Sequence, residues 1–147
     1  MTCAPEERAR QTALMLGLPV ATPERRWSDL DVGTWAGWLF DEVLESDPAG
    51  LGDWVSDPAA TPHAGESVAG LLGRVAAAIV DERPDGLHVV MTSPMVLRAA
   101  VATTVGDALG FFAVDAGPLD AVELSVDGGR SVLKRLRPYP QWLVSRG

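Results

Sequence analysis

The run Leu87-His88-Val89-Val90-Met91-Thr92 restricts the fold more than any other segment. Its apolar character is continuous rather than alternating, the pattern of a strand covered on both faces. Ser93-Pro94 follows at once. Serine is a favoured helix N-cap and proline suits the first helical position, so a helix opens there and runs through apolar residues to about Leu109, with Gly110 as its stop. A buried strand that feeds a helix belongs to an α/β architecture. We expect this strand to be central in its sheet.

The remaining segments fit around it. Pro5 to Leu16 reads as a helix, with proline and two glutamates in its first turn and Gly17 behind it. Pro19 to Ala21 is at best a short strand, and Trp27 to Gly37 is irregular. A short helix is expected over Trp38–Glu45. The Pro-, Asp- and Gly-rich stretch Asp47–His63 should be mostly loop, with a helical turn near Leu51–Val55. Val68, Leu71, Leu72, Val75 and Ile79 recur at three and four residues and define a helix over about Glu66–Asp81, which Arg83-Pro84-Asp85-Gly86 ends. In the tail, Ala121–Val126 and Ser131–Arg137 flank Asp127-Gly128-Gly129, the signature of a β-hairpin. Residues 1–147 show no repeat or linker and read as one domain.

Charge removes some functions from consideration. The formal net charge is -8, and a single lysine, Lys134, stands among twelve basic residues. Nucleic acid, which rewards a basic surface, is not an expected partner. No apolar run is long enough to cross a bilayer and no basic leader is present, so a soluble cytoplasmic protein is expected. Cys3 is the only cysteine, and His63 and His88 lie 25 residues apart without ligand spacing. We therefore expect no metal and no cofactor.

Four blocks, in order, resemble the histidine phosphatase superfamily of the phosphoglycerate-mutase-like type. Ala4-Pro5-Glu6-Glu7-Arg8-Ala9-Arg10-Gln11-Thr12-Ala13 is similar to the family segment after the second strand, with Arg8 at the phosphate-binding arginine. Trp27-Ser28-Asp29-Leu30-Asp31-Val32-Gly33-Thr34-Trp35-Ala36-Gly37 resembles a stretch in which Asp29 stands at the general-acid glutamate. Gly65-Glu66-Ser67, with Arg74-Val75 in the following helix, is a third block. Val89 to Ala99 resembles the end of the central strand, and there Ser93 occupies the place of the second active-site histidine. The resemblance implies a reduced three-layer α/β/α sandwich with a C-terminal hairpin. The family's Arg-His-Gly strand, which carries the nucleophile, has no counterpart in these residues.

The same side chains also have plainer readings. Ser93 is a helix N-cap or a ligand contact. Arg8 is a surface arginine or, on the resemblance, an anion clamp, since a guanidinium fork matches phosphate and carboxylate oxygens. Asp29 caps a turn or handles protons. Glu66 sits in the first turn of its helix or takes part in acid–base work. Arg98, alone in an apolar helix, reaches a carboxylate or snorkels to the edge. Most of the tryptophans Trp27, Trp35, Trp38 and Trp54 are expected in the core.

Without a histidine nucleophile, phosphohistidine-dependent phosphatase or mutase activity is not expected. The leading expectation is a degenerate, atypical family member that binds a small phosphate- or carboxylate-bearing metabolite through Arg8 and Ser93. The alternatives are a repurposed lyase, isomerase or cyclase using Asp29 or Glu66 with Arg8 as clamp, and a non-catalytic assembly subunit. A missing strand beside Leu87–Thr92 would leave an open apolar edge, so a homodimer is expected, with the sheet edge or Trp27–Phe40 at its interface.

Overall fold

The computed structural model describes residues 1–18, 21–81 and 86–138. Along the chain these form β1 (Thr2–Cys3), α1 (Glu7–Met15), β2 (Thr22–Pro23), α2 (Phe40–Ser46), α3 (Pro48–Ser56), α4 (Val68–Asp81), β3 (Val90–Met91), α5 (Pro94–Val105), β4 (Ala121–Asp127) and β5 (Arg130–Arg137), with 3₁₀ turns at Arg25–Trp27, Gly33–Trp35 and Leu109–Ala113. The architecture is an α/β sandwich, a central sheet flanked by helices, with a C-terminal antiparallel hairpin. The expected strand at Pro19–Ala21 lies mostly outside the described residues, and the observed one follows directly at Thr22–Pro23. Arg83, Pro84 and Asp85 also lie outside them.

The sheet corrects one expectation. Among the described residues its order is β2-β1-β3, all parallel, so there the Leu87–Thr92 segment supplies an edge strand and β1 is the central one. Thr2 N–H donates to the Val89 carbonyl at 3.0 Å and Ala4 N–H to that of Met91 at 2.7 Å, while Glu24 N–H bonds back to Cys3 on the other side. Cys3 is 1% exposed, whereas Val89, Val90, Met91 and Thr92 are only half-buried. An apolar run reports that side chains have packing partners; it does not report strand neighbours on both edges.

The helices follow local chemistry closely. α4 buries Val68, Leu71, Leu72, Val75 and Ile79, the stripe expected from their spacing. Leu71, Val75 and the more distant Phe111 are fully buried, each worth roughly 1.5–3 kcal/mol of transfer free energy. The helix starts two residues later than expected: Ser67 Oγ accepts from Gly70 N–H at 3.0 Å, which leaves Glu66 outside the first turn. α3 is a nine-residue helix rather than a single turn in a loop. Asp47 caps it by accepting from Gly50 N–H at 2.9 Å, and Pro48 takes the first position. That pair is a start signal which the Pro/Gly/Asp composition of the segment masks.

α5 ends at Gly106, whose φ of 74° makes it a left-handed C-terminal cap, and so stops short of Leu109. It packs on α4 and against the hairpin, while α1 packs on β3. Arg98 on α5 is half-buried, and its Nε is enclosed without a hydrogen-bond partner, so no carboxylate meets that atom. The β4–β5 hairpin turns at Gly128 and Gly129, with φ of 54° and 80°, as the Asp-Gly-Gly sequence requires. Trp27 and Trp54 are core residues, and Trp35 packs against Trp54 and His63, but Trp38 is 49% exposed.

Candidate functional site

Two strand-to-helix junctions set up the site. β1 leads into α1, which carries Arg8 in its first turn, and β3 leads through Thr92 to Ser93, the N-cap of α5. Parallel strands place such junctions together at their carboxyl ends, where open α/β sheets bind ligands. The loop after β2 closes over this end. Thr92 Oγ1 donates to the Trp27 carbonyl at 2.7 Å, which fixes the 3₁₀ turn that precedes Asp29.

Asp29 is the hub. Ser93 Oγ donates to its Oδ1 at 2.6 Å, and Arg8 Nη2 donates to its Oδ2. Its backbone N–H donates to Glu6 Oε1 at 3.0 Å. Ser93 is 7% exposed and also accepts from Val96 N–H at 3.3 Å, so helix capping and the Asp29 contact coexist. Arg8 is 66% exposed and Asp29 27%, so solvent screens their ion pair and its contribution to stability is small. Three of the four expected site residues are thus joined by direct hydrogen bonds.

Glu66 belongs to the same region but is committed elsewhere. Arg74 binds it through a fork, Nε to Oε1 at 3.0 Å and Nη2 to Oε2 at 2.7 Å. The same guanidinium donates to the carbonyls of Arg26 at 2.9 Å and Ser28 at 3.0 Å. Arg74 therefore ties α4 to the backbone that presents Asp29. Arg74 and Glu6 both stand in blocks that carry the family resemblance, but neither is singled out there as a site residue. A further signal for Arg74 is its position as the only charge within the apolar run of α4 before Asp81.

An open cleft of about 760 Å³ lies along this network, lined among others by Glu6, Arg25, Asp29, Asp31, Glu66 and Arg74. Its far wall is the 63–66 loop, held close to the 31–34 loop: Thr34 N–H donates to the His63 carbonyl at 2.8 Å and Glu66 N–H to that of Asp31 at 2.7 Å. A methyl group on Gly65 would collide with the Asp31 carbonyl, so glycine in the Gly65-Glu66-Ser67 block is a steric requirement.

Neither histidine joins the site. His63 is completely buried among Trp35 and Trp54, and its Nδ1 accepts from Gly65 N–H at 3.0 Å. Burial lowers its pKa below the usual 6.5, opposed by nearby Asp31. His88 stands at the other end of its strand, with Nε2 3.0 Å from Thr2 Oγ1. Among the described residues no group of three or more His, Cys, Asp or Glu side chains is arranged to hold a metal ion. Nor, among them, is any helix long and apolar enough to cross a membrane.

The sandwich, with arginine, carboxylate and hydroxyl groups at the carboxyl ends of its parallel strands, has the phosphoglycerate-mutase-like α/β topology. The model of the histidine phosphatase superfamily (branch 1) matches residues 1–137, and the chain belongs to that superfamily. Solved structures share the fold at low identity. Mycobacterial glucosyl-3-phosphoglycerate phosphatase is 21% identical with a TM-score of 0.73, over 90% of this chain and 74% of that one. The α-ribazole phosphatase of Shigella flexneri is 22% identical with a TM-score of 0.71, over 93% and 72%. A mutant phosphoserine phosphatase from Entamoeba histolytica, solved with phosphoserine, is 16% identical with a TM-score of 0.79, over 92% and 72%. Comparison with curated proteins finds no match.

Proposed function

We propose that this chain binds a small phosphate- or carboxylate-bearing metabolite at the Arg8–Asp29–Ser93 cluster and does so without phosphohistidine chemistry. The observation that carries this reading is the direct linkage of Arg8, Asp29 and Ser93 at the carboxyl ends of β1 and β3. Arg8 is exposed and only weakly held by Asp29, so an incoming anion competes for its guanidinium. Ser93 stands where the resemblance places the second active-site histidine. A serine whose neighbour is an arginine-paired carboxylate has no strong base to activate it. Several fold relatives are phosphatases by name, which agrees with an anion site in this position. In the repurposed-enzyme alternative Asp29 or Glu66 would carry the proton, each of them already paired with an arginine, Arg8 and Arg74 respectively. Titration with phosphate, sulfate and small organic acids tests the reading. Saturable binding that falls in Arg8→Ala and is screened by salt is expected; the absence of binding at low salt would refute it.

A second reading, assembly as a homodimer, is favoured by the outer edge of β3. Among the described residues no strand pairs with it, and its apolar side chains remain half-exposed. Trp38, Leu39 and Phe40 add a second apolar surface, 49%, 71% and 61% exposed. A second copy would cover either surface. Sedimentation at low protein concentration should give a dimer, and a monomer at every concentration would reject this reading.

A further inference from the structure

The arginines around the Asp29 cleft differ in how much of their hydrogen-bonding capacity is already used. Arg74 is held by Glu66 and by backbone carbonyls. Arg8 reaches Asp29, and Arg26 binds Glu24 at 2.5 Å. Arg25 lines the cleft, is exposed, and makes no side-chain hydrogen bond or ion pair with the described residues. It opens the 3₁₀ turn Arg25–Trp27, and that turn is anchored on several sides. Trp27 is 4% exposed and its carbonyl accepts from Thr92, while the carbonyls of Arg26 and Ser28 accept from Arg74. A free guanidinium therefore projects from fixed backbone.

The charge of the cleft makes this cation consequential. Four carboxylates, Glu6, Asp29, Asp31 and Glu66, line it against two arginines, and Arg74 cannot turn away from its partners without leaving Glu66 unpaired. Even with Arg25 counted the lining is net acidic, so an anion is held only where it pairs directly with an uncommitted cation, and among the described residues Arg25 is the lining arginine without a partner. We infer that Arg25 is a second ligand-binding arginine, receiving the anionic group from within the cleft while Arg8 acts from the Asp29 side. This assignment rests on the reading of the Arg8–Asp29–Ser93 cluster as an anion site and adds to it, across the cleft that Asp29 shares, a residue outside the four blocks that carry the family resemblance.

The test is a titration of the full chain with inorganic phosphate at low ionic strength, followed by amide NMR shifts, for the wild type, Arg25→Gln, Arg25→Lys and Arg8→Gln. Arg25→Gln should weaken phosphate binding about threefold or more, and Arg25→Lys should restore part of the loss by returning charge without the fork. Its thermal midpoint should match the wild type, because the side chain supports no other contact. If Arg25→Gln binds phosphate as the wild type does while Arg8→Gln binds it weakly, this inference is wrong and the Arg8–Asp29–Ser93 site stands. If the wild type shows no saturable shifts, both fail together.

Discussion

Ser93 and Asp29, 64 residues apart in sequence, share a 2.6 Å hydrogen bond that joins the start of α5 to the loop after β2. The bond is charge-assisted and largely shielded from water, and the same serine oxygen caps α5. Ser93→Ala should therefore destabilise the chain by about 1–3 kcal/mol, from the lost cap and the lost bond together. A double-mutant cycle with Asp29→Ala separates the two, with an expected coupling of about 1–2 kcal/mol in urea denaturation. Additive single losses would mean that the serine serves as a cap alone.

Arg74 is the strut behind Asp29. Its removal strands a half-buried Glu66 and two backbone carbonyls, so Arg74→Ala should lose about 2–4 kcal/mol. Arg74→Lys should recover less than half of that, since one ammonium cannot reproduce the fork. The readout is the denaturation midpoint. A lysine variant as stable as the wild type would show that charge, rather than the planar fork, holds the loop.

Much of this frame was legible from residues and much was not. The stripe on α4, the Ser93-Pro94 start of α5 and the Asp-Gly-Gly hairpin all depend on local rules, and each appears where those rules put it. The edge position of β3 did not show, because pairing is decided by distant Thr2 and Cys3, whose two-residue strand has no periodicity to read. The clustering of Arg8, Asp29 and Ser93 was accessible through the family resemblance, not through spacing. Arg74 and Arg25 were hidden for different reasons. The first works through contacts up to 48 residues away, and the second is distinguished only by lacking a partner among the described residues.

His63 sets a pH dependence of stability. Its buried Nδ1 accepts a backbone proton, which requires the neutral ring, and burial lowers its folded-state pKa below 6.5. Below that pH the unfolded chain holds more protons than the folded one. Stability is therefore fully present above about pH 6.5 and declines as pH falls toward the lower folded-state pKa. His63→Phe keeps an aromatic ring but cannot titrate. Its stability should change less than that of the wild type between about pH 7 and pH 5, although the orphaned Gly65 N–H costs it about 1–3 kcal/mol throughout. Thermal melts across that range provide the comparison, and equal slopes in the two proteins would count against a neutral buried His63.

The central claim is an anion site that binds without phosphohistidine turnover, and titration with p-nitrophenyl phosphate addresses both halves in one measurement. Binding heat and nitrophenolate release are followed together for the wild type and Arg8→Ala. The account predicts saturable, salt-sensitive binding that weakens in Arg8→Ala, with no release above the level of that variant. Sustained release that depends on Arg8, or no binding at all by the wild type, would contradict it.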